Sequence, residues 1–325
     1  MRPILTLVIV ALAAAGVGGV LGADGIRGQG VSPPQQTLQA PQTPPVFRAQ
    51  TNAVSVDVGV RDKTRRPIAD LTASDFVVED NGVRQSIDEV SYAKRPIDVT
   101  VGLDVSGSVT GAALERLRQG VAELARGLRD VDRVKLVVFN TQVHRIIDFS
   151  SDVQAVNRAL RNVPAGGGTA LFDTIGAALV AANDAERRQL IVFFTDGGDS
   201  GSLTSPQVMQ TMAVRARATV TFVMTYQTAM LPNTGGSLPA TRNVLLLSPS
   251  RVLATVARDT GGEVVPIDVS SNLGLVFRRI LDDFRSSYVL FYSPSGVDRS
   301  GFHAITVDVT RPGAVVTARR GYFGG

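Results

Sequence analysis

Between residues 97 and 285 the chain alternates short apolar runs with stretches whose apolar residues recur at helical spacing. That alternation restricts the fold more than any other feature. Ile97–Leu103 is an apolar run ending in Asp104, and Gly111–Leu128 places Leu114, Leu117, Val121, Leu124 and Leu128 on one helical face. Val134–Phe139 reads as a buried strand and Val143–Phe149 as a shorter one. Helices are expected over Val153–Val163 and Ala170–Ala182, then a strand over Leu190–Thr195. A helix over Pro206–Arg217 has its proline near the first turn, where the missing N–H is harmless. Thr219–Thr225, Pro249–Asp259, Gly262–Pro266 and Leu273–Arg285 continue as strand, helix, strand, helix. The pattern predicts an α/β fold: a doubly wound, mainly parallel six-stranded, Rossmann-like sheet with helices on both faces.

The flanks read differently. Val54, Val56, Val58 and Val60 alternate with polar residues or glycine, as in a half-buried strand. Phe76–Glu79 is a short strand, Asn81-Gly82 a tight turn, and Val83–Val90 the continuation of a hairpin. After residue 287 strands return at Tyr288–Tyr292, Ala304–Val309 and Ala314–Arg319. Neither flank alone has enough strands to bury a core. The two are therefore expected to pair into one small β-sandwich, residues 52–94 with 287–323, into which the α/β unit of 95–286 is inserted.

Arg2, the apolar run Ile4–Ala15 and the small residues ending at Gly22-Ala23 form a secretory signal pattern, with cleavage expected after Ala23. The competing reading is an uncleaved anchor, because Ile4–Leu21 spans 18 residues, the lower edge of a membrane-crossing length. Residues 24–51 are rich in Pro, Gln and Gly and read as a disordered linker. The expected setting is secreted, periplasmic or at the cell surface, with no membrane span in the mature chain. The absence of cysteine removes disulfides, thiolate metal sites and cysteine nucleophiles. A net charge of +4 comes from scattered Lys and Arg with no basic stripe among aromatics, which argues against nucleic acid as a partner. The stretch Tyr226–Leu247, rich in Gly, Pro, Asn and Thr, reads as a long functional or mobile loop.

In a doubly wound sheet, ligands sit beyond the carboxyl ends of strands near the point where strand order reverses. Three polar motifs fall at such ends: Asp104-Val105-Ser106-Gly107-Ser108, Gly166-Gly167-Gly168-Thr169 and Thr195-Asp196-Gly197-Gly198-Asp199-Ser200. Asp104, Ser106 and Ser108 alternate on an extended loop, so all three can face one point. Two carboxylates and three hydroxyls are hard oxygen donors, suited to Mg²⁺ first, and to Mn²⁺ or Ca²⁺, rather than to zinc or copper. With so few carboxylates a divalent ion keeps an open position that an external carboxylate can fill. The plainer reading is that these Ser, Thr and Asp residues merely cap helices. Asp199 reads equally as an acid beside the site or as a turn residue. His144 and His303 have no carboxylate near them in sequence and are taken as surface or packing residues. The glycine run lacks the Lys-Ser/Thr of a phosphate loop.

The three motifs resemble the von Willebrand factor type A (VWA) family, whose DxSxS pattern Asp104–Ser108 matches without a mismatch. Thr169 follows Ser108 by 61 residues and Asp196 follows Thr169 by 27, in a Thr-Asp-Gly context similar to the family's. The resemblance implies a metal-ion-dependent adhesion site made of Asp104, Ser106, Ser108, Thr169 and Asp196, the two aspartates acting directly or through water. The flanks, with Leu71-Thr72-Ala73-Ser74-Asp75-Phe76, Glu79-Asp80-Asn81-Gly82-Val83 and Arg320-Gly321-Tyr322, resemble a secreted VWFA-related subfamily described from acidobacteria.

The expected function is binding or adhesion, a partner protein supplying an Asp or Glu to the metal. The alternative is a structural or assembly component of the cell envelope with a stabilising metal. Catalysis is not expected. Phosphotransfer hydrolases of similar layout need an acid two residues after the first carboxylate, where this chain has Ser106, and no Gly-x-Ser-x-Gly elbow occurs.

Overall fold

In the computed structural model the described residues are 53–107, 109, 111–161, 163, 165–182, 184–225, 249–268 and 270–325. The expected leader, the linker to residue 51 and the 226–247 loop lie outside them, as does Ser108.

The strands are β1 (Val54–Arg61), β2 (Phe76–Asp80), β3 (Val83–Gln85), β4 (Ile87–Tyr92), β5 (Ile97–Asp104), β6 (Arg133–Phe139), β7 (Val143–Ser150) and β8 (Arg188–Thr195). They continue with β9 (Ala218–Thr225), β10 (Val264–Ile267), β11 (Tyr288–Tyr292), β12 (Gly301–Val309), β13 (Val315–Ala318) and β14 (Gly321–Gly324). The helices are α1 (Ala112–Arg126), α2 (Val153–Leu160), α3 (Leu171–Ala181), α4 (Pro206–Arg215), α5 (Pro249–Thr260) and α6 (Leu273–Arg285). Among the described residues no helix is long and apolar enough to cross a membrane.

The central sheet has the order β10-β9-β8-β5-β6-β7, parallel except for β7, which bears out the expected doubly wound α/β fold. β5 is buried along its whole length. Its odd positions, Ile97, Val99, Val101 and Leu103, pack with α1, α2 and α6 through Leu117, Val156 and Phe277. The opposite face of the sheet packs Phe193 and Phe222 against α3, α4 and α5 through Ile175, Met209 and Leu253. Gly102 pairs with Phe193 across the β5–β8 ladder, and a side chain at 102 would fall on that ring. Strand order reverses between β5 and β8, so the switch point lies where Asp104 ends one strand and Asp196 follows the other.

The flanking strands form two four-stranded sheets, β13-β1-β11-β4 and β14-β12-β2-β3, each drawing strands from both ends of the chain. Val56, Val58, Leu290 and Tyr292 from one sheet and Phe76, Val78 and Val307 from the other share one core. The α/β unit leaves this sandwich after Tyr92 and returns at Tyr288, and those two residues are cross-strand partners.

The structure corrects two expectations here. Val83–Val90 is not one strand: it divides at Ser86 into β3 and β4, which belong to different sheets. The buried Gln85 side chain is held at this crossing by the Ser295 backbone, accepting from its N–H at 2.9 Å and donating to its carbonyl at 3.0 Å. Of the two readings for His303 the surface one fails: it is a packing residue, and its carboxylate partner is distant in sequence. It is 1% exposed, its Nδ1 lies 2.7 Å from Asp80 Oδ1, and Tyr292 and Tyr322 donate to Asp80 Oδ2 at 2.9 and 2.8 Å. Sequence distance hid the pair, since residues 80 and 303 meet only when β2 pairs with β12.

At the amino edge of the central sheet, arginines tie the layers together. Asp98 receives Arg133 and Arg187, and Asp132 receives Arg129 and Arg285. Arg188 donates to Asp57 of β1 and to Ser287, both at 2.6 Å, joining the α/β unit to the sandwich.

Candidate metal centre

Three loops meet at the carboxyl edge of the sheet. The first leaves β5 at Asp104, which is 0% exposed. Its Oδ1 accepts from Ser106 N at 3.0 Å and its Oδ2 from the Thr195 hydroxyl at 2.9 Å. Thr195 is thus a clamp between the loops, since its own oxygen accepts from Gly197 N at 3.0 Å. Ser106 is buried, and Asp196 is half-buried, accepting from Gly198 N at 2.9 Å.

The glycine loop, the second of the three, is bound to the first by Gly166 N on Val105 O at 2.7 Å and Gly107 N on Gly167 O at 3.0 Å. Gly166 and Gly167 sit at φ of 128° and 87°, a region a side chain strains to enter. Asn140, at the end of β6, holds this loop twice: its Nδ2 donates to Gly166 O at 2.9 Å and its carbonyl accepts from Ala170 N at 2.6 Å.

Thr169 is 8% exposed and is fixed by the third loop. Its N–H donates to Ser200 Oγ at 2.9 Å, and its carbonyl accepts from Ser200 N at 2.9 Å and Gly201 N at 3.0 Å. Asp199 joins the same lattice, accepting from Phe172 N at 3.2 Å at the start of α3 and from the Ser202 hydroxyl at 2.6 Å. The structure therefore brings the loops of Asp104, Ser106, Thr169 and Asp196 together at one edge. Sequence reasoning assigned no role to Asn140, Thr195 or Ser200. Asn140 follows a strand with no motif around it, whereas Thr195 and Ser200 lay inside a quoted motif.

Burial pushes the Asp104 carboxyl above its ordinary value of 3.8, and the nearby Asp196 carboxylate adds to that, against the hydrogen bonds from Ser106 and Thr195. Asp98 and Asp132 are also buried, yet Arg133 and Arg187 beside the first, and Arg129 and the Ile97 amide beside the second, hold each carboxyl below the usual value despite burial. Asp104 is a deeply buried acid whose partners include the Ser106 amide and the Thr195 hydroxyl. The oxygen donors of these loops fit a hard divalent cation, which would supply positive charge beside it. Among the described residues no cluster of three or more His, Asp or Glu side chains offers an alternative metal position.

Part of the chain, this edge included, has counterparts among known proteins. Residues 99–198 match the von Willebrand factor type A domain. The human voltage-dependent calcium channel subunit alpha-2/delta-2 is 31% identical over 124 residues, which is 34% of this chain and 11% of that protein. The chain thus matches about a tenth of that relative's length. Among solved structures, a von Willebrand factor type A protein from Catenulispora acidiphila superposes with a TM-score of 0.49 at 12% identity, covering 82% of this chain and 73% of that one. BatB from Bacteroides thetaiotaomicron superposes with a TM-score of 0.44 at 18% identity, covering 58% and 98%. The chain carries a von Willebrand factor type A domain.

Proposed function

We propose that this domain is a secreted or cell-surface binding module that holds one divalent cation, Mg²⁺ in first place, through Asp104, Ser106, Ser108, Thr169 and Asp196, and engages a partner protein that supplies an Asp or Glu. The observation that carries this reading is the buried Asp104 at the switch point, its carboxyl raised by burial and by the nearby Asp196. The cation would balance that charge and offer a coordination position to an external carboxylate. Residues 95–286 are the binding unit in this reading, and the sandwich of 52–94 and 287–323 is its support. The leader at residues 1–23 delivers the chain outside the cytoplasm. The flanking motifs favour the acidobacterial-type VWFA-related subfamily.

A purely structural role for the metal is the weaker reading. The three loops are already stitched by Gly107–Gly167, Thr195–Asp104 and Thr169–Ser200 hydrogen bonds, none of which needs an ion. Catalysis has no support from the acids present, because Ser106 occupies the place of a proton-transferring carboxylate and His303 is committed to Asp80 inside the sandwich.

Calorimetric titration of the full chain with Mg²⁺, Mn²⁺ and Ca²⁺, beside capture from the native extracellular milieu in Mg²⁺ or EDTA, tests the proposal. Thr169→Ala is expected to abolish cation-dependent capture with an unchanged unfolding midpoint. No heat of cation uptake by the wild-type chain, or capture indifferent to EDTA, would overturn it.

A further inference from the structure

One side chain beside the candidate centre is displayed in a way that packing does not explain. Among the described residues Leu203 is 97% exposed, far beyond the next large apolar residue, Val180 at 66%. Single exposed leucines on mobile loops are ordinary. This one is mounted on a loop whose backbone is locked. Asp173, four residues after Thr169, accepts from Leu203 N at 3.0 Å and from Thr204 N at 2.7 Å, one carboxylate oxygen to each. Its own N–H donates to Ser202 Oγ at 3.1 Å. Upstream, Ser200 and Gly201 are held by Thr169, and Ser202 by Asp199. Downstream, Ser205 Oγ caps α4 by accepting from Val208 N at 3.3 Å.

The loop owes none of this order to the Leu203 side chain, which is the part left out. The hydrogen bonds to Asp173 outweigh its burial and keep its carboxyl below the ordinary value, so the mount persists at neutral pH. From Ser200 to Val214 the sequence itself has no charged residue, the charge at the loop coming from Asp173 and Asp199 beneath it, and Val208 on the first turn of α4 is 53% exposed.

We infer that Leu203 is an apolar anchor beside the metal face, and that the partner segment carrying the metal-seeking Asp or Glu also carries a bulky apolar residue, a few positions away, that packs on Leu203. The inference rests on the binding role proposed above and adds to it a requirement on the partner's chemistry. A locked backbone with a free apolar tip is preordered, so binding immobilises only one side chain and keeps most of the burial free energy.

A random linear peptide library displayed on phage, panned on the full chain in Mg²⁺ and eluted with EDTA, tests this. The eluted sequences should share an acidic residue and a bulky apolar one at fixed spacing. A synthetic peptide of that sequence should bind Leu203→Ser roughly ten- to hundredfold more weakly than wild type, the range that burying a leucine is worth. Leu203→Met should retain most of the affinity. Unfolding curves of the variants should superimpose on wild type, given the 97% exposure. Eluted clones with an acid but no apolar companion, or a peptide indifferent to Leu203→Ser, would overturn the anchor and leave the metal-site reading standing. If EDTA elutes no enriched clones, both fall.

Discussion

Asp132 offers a direct measurement of how the α/β unit is fastened. The carboxylate is 0% exposed and every lone pair is used. Oδ1 accepts from Ile97 N and from Arg129, each at 3.0 Å. Oδ2 accepts from Arg129 N at 3.1 Å, Arg129 Nε at 3.0 Å and Arg285 at 3.1 Å. Asp132→Ala strands the Ile97 amide at the start of the central strand and takes one acceptor from Arg285, 19% exposed, which keeps Gly127 O and Asp282. Breaking a buried pair from one side costs about 3–5 kcal/mol. Arg129 is 34% exposed and can rehydrate, which places the expected loss at about 3 kcal/mol. Against a total stability of about 5–15 kcal/mol that is a large share. Urea unfolding should show a lower midpoint with an unchanged slope. Asp132→Asn keeps an acceptor for Ile97 N and should fall between the two.

The acid limb supplies a second readout. Burial alone would raise this carboxyl, but the donors from Arg129 and Ile97 outweigh it and hold it below the ordinary 3.8. A depressed folded value means that the contribution is complete above the unfolded value and fades as pH falls through the folded one. Wild type should therefore shed stability below about pH 3.8, and Asp132→Asn should lack that share of the decline. A loss under about 1 kcal/mol for Asp132→Ala, or identical acid limbs, would refute the reasoning.

Two further outcomes follow from packing. Gly102→Ala should lower the thermal midpoint by the equivalent of about 1–3 kcal/mol, because the new methyl meets the Phe193 ring, and an unchanged midpoint would contradict that contact. Asp80→Ala removes the acceptor of the Tyr292 and Tyr322 hydroxyls and the carboxylate partner of the His303 imidazole, leaving Tyr322 and His303 their 3.1 Å contact with each other, and should cost about 1–3 kcal/mol in denaturant unfolding. Cation titration should be unaffected by that change, and loss of both properties together would tie the sandwich to the metal face.

The central sheet was legible because its signals are local. Leu114, Leu117, Val121 and Leu124 declare one helical face within a few turns, and α6 and β11 fall where the apolar spacing puts them. Asp104 and Asp196 stood out for a similar reason, since each closes or follows an apolar run. The sandwich was harder to read, because alternation says that a residue is half-buried without saying which strand lies beside it. Val83–Val90 alternates through a change of sheet, and β14 is four residues containing two glycines, too short for a pattern. The supports of the candidate site were hidden as well. Asn140 acts through backbone contacts to Gly166 and Ala170, and Asp173 through the amides of Leu203 and Thr204, so neither choice leaves a spacing signature.

The pairing of Tyr92 with Tyr288 has a mechanical consequence. Facing residues in an antiparallel ladder are only about 5 Å apart, so the domain between them hangs from two adjacent strands like a pendant on a double cord, with the Arg188–Asp57 and Arg61–Asp283 ion pairs as side ties. A tug on its far edge would be borne in common by β4 and β11 and shared with β1 through Asp57 and Arg61. Melting of the pendant would leave the two cords still side by side, ready to template its return.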